Sequence, residues 1–191
     1  MGPTATRSGR REAICEAVFE LLGEVGYDRM SMDAVAARAH ASKATIYRAW
    51  PNKPDLTVAS IAHKLGPKMP ALPDTGSLRG DLLAHMRAAC VMFASGDGAV
   101  MCGLLTAAAS NPELSQVLHR FVFDTKRTMY DVMVTRAVER GELAASTDPG
   151  LLHELTHAVV TSRRMLDLGP LDDAFAERVV DRILLPVLKA A

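Results

Sequence analysis

Ser31-Met32-Asp33-Ala34-Val35-Ala36-Ala37-Arg38-Ala39-His40-Ala41-Ser42-Lys43-Ala44-Thr45-Ile46-Tyr47-Arg48-Ala49-Trp50-Pro51-Asn52-Lys53-Pro54-Asp55-Leu56 is the stretch that decides the fold. Ser31 reads as an N-cap, Asp33 suits the positive end of the helix it opens, and Met32, Val35, Ala36 and Ala39 form an inner stripe. His40-Ala41-Ser42 interrupts this helix. Ser42 then caps another through Trp50, which Pro51 stops; Asn52, with Pro54 and Asp55 behind it, opens a fourth that ends near Leu65-Gly66. Two short helices across a three-residue break have helix-turn-helix geometry, in which one helix braces the other for entry into the DNA major groove. Ile46 and Trp50, four apart, face inward. Lys43, Ala44, Tyr47 and Arg48 face outward, and a groove-facing helix wants that mix of cation, small residue and hydroxyl.

Upstream, Ile14, Ala17, Val18, Leu21, Leu22 and Val25 follow the i, i+3, i+4, i+7 spacing of one buried helical face, which Gly26 ends. Arg7, Arg10 and Arg11 form a basic arm before any acid appears. Residues 1–65 hold nine Lys and Arg against seven Asp and Glu, a small positive excess in a chain with 22 of each. Downstream, Pro67, Pro70 and Pro73 fall within seven residues, which excludes a helix interior and marks a linker. Beyond it Leu78, Leu82, Met86, Ala89 and Phe93 line one helix, and Val100, Leu104, Leu105 and Ala108 another. Asn111-Pro112-Glu113 opens a helix carrying Leu114, Val117, Leu118, Phe121, Met129, Val132 and Met133, stopping near Gly141. Asp148-Pro149 opens one through Leu168, and a last helix spans residues 174–188 with Pro186 weakening its final turn.

The expected architecture is therefore all-α, with about nine helices split near residue 70. Composition agrees: among 191 residues alanine occurs 29 times while aromatics make up 5%, and alanine favours helix where aromatic and β-branched residues favour strand. The longest apolar stretch, residues 98–109, is too short to span a bilayer, and no apolar core follows the N-terminal arginines as a secretory signal requires. Cys15, Cys90 and Cys102 are odd in number and share no CxxC spacing, which points to a reducing, cytoplasmic setting.

The quoted stretch resembles the DNA-binding domain of the TetR family of bacterial transcriptional regulators. The resemblance rests on the Ala-x-x-Ala second helix, Ser42-Lys43-x-Thr45-x-Tyr47, the closing Trp50 and the Lys53 opening the next helix, and it covers residues 8–66. Leu78-Arg79-Gly80-Asp81-Leu82, Arg140-Gly141-Glu142-Leu143 and Asp148-Pro149 look like segments of some members' C-terminal domains. The resemblance implies a DNA-binding domain at 8–66 with its helix-turn-helix at 31–50, a linker at 67–77, and a regulatory and dimerisation domain at 78–191. It implies base-reading positions at Lys43, Ala44 and Thr45, and phosphate contacts at Tyr47 and Lys53. Arg48 would meet a phosphate or a base edge, Arg7 and Arg10 an adjacent backbone or minor groove; Ser42 belongs to the same set. Two departures stand out. His40 takes the place of a turn glycine where positive φ is often needed, and Ala49 replaces a larger phosphate-contacting residue.

His153-Glu154-Leu155-Thr156-His157 matches H-E-x-x-H, which on a helix puts two imidazoles on one face with a Glu beside them. Glu177 follows twenty residues after His157, and Asp181 four later, where some zinc peptidases carry a third ligand. The alternative function is thus a metal-sensing regulator or a zinc-dependent hydrolase. Against it, the N-terminal residues have another task and no strand is present to hold a peptide. The plain expectation is no metal, no cofactor and no catalysis, with Leu152, Leu155, Val159 and Arg163 on one side of the helix and the histidines bordering a seam, a pocket or water.

Met86, Cys90, Phe93, Met101, Leu105, Phe121 and Met129, with His157, supply deformable apolar surface for a hydrophobic or amphipathic effector. The last two helices are the expected dimer seam, since a two-fold dimer matches a palindromic operator. The expected function is a homodimeric repressor released from double-stranded operator DNA by a small molecule.

Overall fold

The computed structural model describes residues 7–66 and 72–190, with only the backbone for residue 7 and residues 122–128. Among the described residues there are ten α-helices and no strand: α1 (Arg7–Arg29), α2 (Met32–Arg38), α3 (Lys43–Ala49), α4 (Lys53–Leu65), α5 (Leu78–Ala94), α6 (Gly96–Ala108), α7 (Pro112–Glu139), α8 (Pro149–Met165), α9 (Asp173–Val179) and α10 (Leu185–Ala190). A π-turn over Val180–Leu184 joins the last two. The chain forms two compact units, one of Met1–Met69 with Ala99–His119, the other of Pro70–Gly98 with Arg120–Ala191. No single described helix is long and apolar enough to cross a membrane.

In the first unit, the apolar stripe of α1 (Ile14, Val18, Leu21, Leu22) is buried with Val35, Ile46, Trp50, Leu56 and Ile61. The side-chain caps form where expected. Ser31 Oγ accepts from the Ala34 N–H at 3.1 Å, Ser42 Oγ from Thr45 at 3.2 Å and Asn52 Oδ1 from Asp55 at 2.8 Å. Gly26, at φ 76°, breaks α1 before a last turn that carries the buried Tyr27. His40 sits at φ 49°, the left-handed region its place in the turn called for. Arg38 on α2 grips Glu24 of α1 through both nitrogens (2.9 and 2.8 Å) and Glu20 at 3.1 Å, fixing the bracing helix.

In the second unit, residues from opposite ends of the sequence build one joint. Ser77 caps α5, and the Glu142 carboxylate accepts from the Leu78 N–H at 2.9 and 3.0 Å. Asp81, fully buried, accepts from the Thr75 N–H and hydroxyl at 2.7 and 2.8 Å and pairs with Arg140 at 3.4 Å. A Cβ on Gly80 would lie 2.1 Å from Thr75 Oγ1, so the close approach requires glycine. The Leu78–Leu82 and Arg140–Leu143 segments are thus two halves of one structure. Residues 73–77, read as linker, are held here: Arg136 donates to the Pro73 carbonyl at 3.1 Å. Residues 67–71 lie outside the described residues.

Two boundaries differ from expectation. α8 ends at Met165, because Asp167 (φ 49°) and Gly169 (φ 107°) turn the chain. The expected last helix resolves into α9, the π-turn and α10. Leu185 N donates to Val180 O five residues back, a wider turn just ahead of Pro186, whose ring crowds the carbonyl four residues behind it.

Candidate nucleic-acid interface

On α3, Ile46 and Trp50 are buried, whereas Lys43, Ala44, Tyr47, Arg48 and Ala49 are exposed. Thr45 is half-buried, its hydroxyl 2.9 Å from that of Ser42, so both hydroxyls already serve the start of the helix. Lys43 forms an ion pair with Asp33 of α2. A cleft of about 440 Å³ lies beside α3, lined by Arg10, Arg11, Ile14, Thr45, Arg48, Ala49 and Trp50. Three of its lining residues are arginines, and the Arg11 guanidinium stacks 4.8 Å over the Trp50 ring. Lys53 lies apart, its ammonium 4.1 Å over Tyr27 and 3.4 Å from the Asp28 carbonyl. Partial burial lowers its pKa, opposed by the Asp28 charge. Burial pushes the Tyr27 phenol up to about 12, helped by Glu113 and Asp28.

The structure therefore brings Arg10 and Arg48 together and keeps Lys43 and Lys53 on separate partners. The Arg7 side chain lies outside the described residues. Sequence reasoning missed two features. Arg11, read only as part of an arm, lines the cleft, and Asp33, read as a helix-dipole partner, also holds Lys43. Neither contact carries a local signal, since each joins positions ten or more residues apart.

The H-E-x-x-H expectation meets a different geometry. His153 is 5% exposed, and its ring lies 5.2 Å from Tyr130 and 4.7 Å from His157. It belongs to the core of the second unit rather than bordering water. The buried stripe of α8 is Leu152, His153, Thr156 and Val160, and Leu155 and Val159 are half-exposed. Glu154 points out to solvent. Glu177 pairs with Arg87 at 3.4 Å and Asp181 with Arg79 at 2.8 Å, so neither serves as a third ligand. Among the described residues no group of three or more His, Cys, Asp or Glu is placed to hold a metal ion.

The effector candidates divide. Met86, Cys90 and Phe93 are buried, and Phe121, Met129 and His157 half-buried, in the second unit, whereas Met101 and Leu105 lie on α6 in the first. Burial raises the Cys90 thiol to about 11, as do the charges of Asp172 and Asp173, against the pull of Arg163. A cleft of about 400 Å³ in the second unit is lined by other residues: Ala94, Arg163, Arg164, Asp167, Gly169, Pro170 and Leu171.

A braced recognition helix beside an arginine-lined cleft defines a helix-turn-helix DNA-binding protein. Residues 14–60 match the model for bacterial regulatory proteins of the tetR family, and residues 72–183 the tetracyclin repressor-like C-terminal domain. A DNA-binding transcriptional repressor TetR of Mycobacteroides abscessus is 38% identical over 180 residues, covering 94% of each chain. An uncharacterised HTH-type regulator of Mycobacterium tuberculosis is 33% identical over 182 residues, 95% of this chain and 89% of that one. The crystal structure of the TetR family regulator SCO0332 is 30% identical and superposes with a TM-score of 0.73, over 93% of this chain and 97% of that one. FadR of Bacillus subtilis, in complex with stearoyl-CoA, shares the fold at 21% identity, with a TM-score of 0.70 over 91% and 96% of the two chains. The chain belongs to the TetR family of bacterial transcriptional regulators. It is a DNA-binding transcriptional regulator.

Proposed function

We propose that the chain is a homodimeric repressor. Residues 8–66 bind DNA, 67–77 link, and 78–191 dimerise and respond to a small hydrophobic or amphipathic molecule. The arginine-lined cleft beside the exposed face of α3 carries this reading. The start of α3, Ser42 to Thr45, enters the major groove, with Lys43, Ala44 and Thr45 at base edges. Tyr47 and Lys53 hold phosphates, as does Arg10. Arg48 joins Arg10 and Arg11 on the backbone, because three arginines lining one cleft suit an anion better than one base edge.

Dimerisation falls to the outer faces of α8 and of α9 with α10. The half-exposed Leu155 and Val159 and the exposed Val187 support that assignment. Within the second unit, Met86, Cys90, Phe93, Phe121 and Met129, with His157, suit an apolar effector. The FadR complex with stearoyl-CoA indicates that a fold of this kind accepts an amphipathic molecule. Release follows if the effector binds more tightly to a state whose recognition helices no longer match the half-site spacing.

The test is a titration of wild-type, Lys43→Ala and Lys53→Ala proteins against the duplex that the wild type recovers from a randomised pool, and against a scrambled duplex, at several salt concentrations. Lys53→Ala is expected to weaken both duplexes alike and to reduce the salt slope by about one unit per subunit. Lys43→Ala is expected to cost about 1–3 kcal/mol per half-site on the recovered duplex and to relax one base position. Equal weakening of both duplexes by Lys43→Ala, with base preference intact, removes Lys43 from the base readers. Effector release is read as dissociation of the complex when amphipathic compounds are titrated in.

A further inference from the structure

Asp33 stands in the first turn of α2, where a carboxylate complements the helix dipole without further help. The fold nevertheless sets it against the ammonium of Lys43, the first residue of α3, which has no acid in its own first turn. The two side chains are 57% and 66% exposed. Exposed pairs of this kind add little to stability. The cations around it are kept differently: Arg11 lies over the Trp50 ring and Lys53 over the Tyr27 ring. Lys43 alone in this set is paired with a carboxylate, and that carboxylate sits beside the surface that faces DNA.

We infer that Asp33 determines how sharply this protein separates its operator from other DNA, acting as a positioning residue for Lys43. The inference rests on reading α3 as the groove-entering helix. On arbitrary sequence, Lys43 has only a phosphate to gain, and leaving Asp33 exposes a carboxylate to a polyanion, so the contact contributes little. At the operator a guanine edge offers two acceptors in fixed directions, a partner strong enough to draw the ammonium away. The carboxylate thus weakens all DNA binding, and weakens it most at the operator, where the pair must be broken before the base edge is met, so it narrows the margin between operator and other DNA.

The experiment compares the full-length wild type with Asp33→Asn, using the duplex recovered from a randomised pool and its scrambled counterpart across a salt series. Asp33→Asn is expected to tighten the recovered duplex about fivefold and the scrambled duplex less. The affinity ratio then rises, and the salt slope on scrambled DNA steepens by about one unit per subunit as Lys43 becomes available to phosphates. In a Lys43→Ala background the same change should leave the ratio within about twofold. Asp33→Glu, which keeps the charge, should retain the wild-type ratio, and circular dichroism checks that each variant is folded. An unchanged or lower ratio in Asp33→Asn overturns the inference, as does an equal rise without Lys43. A randomised pool that yields no preferred duplex overturns something else, the base-reading role of α3, and the inference with it.

Discussion

His40 holds the turn between α2 and α3 at φ 49°, in the left-handed region that costs any residue with a Cβ more than glycine, and its side chain is exposed. His40→Gly should therefore raise stability by about 0.5–1 kcal/mol, seen as a melting temperature a few degrees higher; a lower one would mean that the imidazole makes a contact worth more than the strain. His153 presents the opposite case, a polar residue enclosed by Tyr130 and His157. His153→Ala should cost about 2–3 kcal/mol in urea unfolding, as buried truncations do. A midpoint unchanged from wild type would place the side chain outside the core. At this scale the outward set on α3 was legible, because Ile46 and Trp50 four apart define the inner face and leave the rest. The burial of His153 was not. Its spacing from His157 matches a zinc motif whether the helix faces water or a neighbour.

Helix starts were read correctly because a cap lies next to what it caps: Ser31, Ser42, Asn52 and Asp148 each bond within three residues. The joint between α5 and the end of α7 has no such locality. Glu142 bonds Leu78 across 64 positions, and only folding brings the two together. Burial alone would raise the Glu142 pKa, but the Arg140 side chain and the Leu78 N–H hold it below the ordinary carboxylate value of 4.5. Its stabilising contribution is therefore complete above that value and lost as the pH falls through the lower, folded one. Urea midpoints of the wild type should fall between roughly pH 5 and 3 more steeply than those of Glu142→Gln. Parallel curves would remove Glu142 from the acid response. The π-turn before Pro186 was equally hidden, since proline announces a disturbed helix without saying which wider turn absorbs it.

For the whole molecule, the proposed seam makes a quantitative demand. Val159→Glu puts a charge on the outer face of α8, away from the buried Leu152, Thr156 and Val160. Sedimentation should show a monomer, and operator affinity should fall at least about a hundredfold as the linked second half-site is lost. A stable dimer would move the seam elsewhere. The helical class was legible in the sequence, but the place of residues 99–119 in the first unit was not, because nothing local marks it. That membership has a consequence for biosynthesis. A nascent chain that has emerged only as far as the proline-rich stretch already contains every residue proposed to touch DNA. It still lacks α6 and the opening turns of α7, so the first unit cannot be complete until residue 119 has left the ribosome. By then the first helix of the second unit is out as well, and the two units mature on overlapping schedules rather than one after the other.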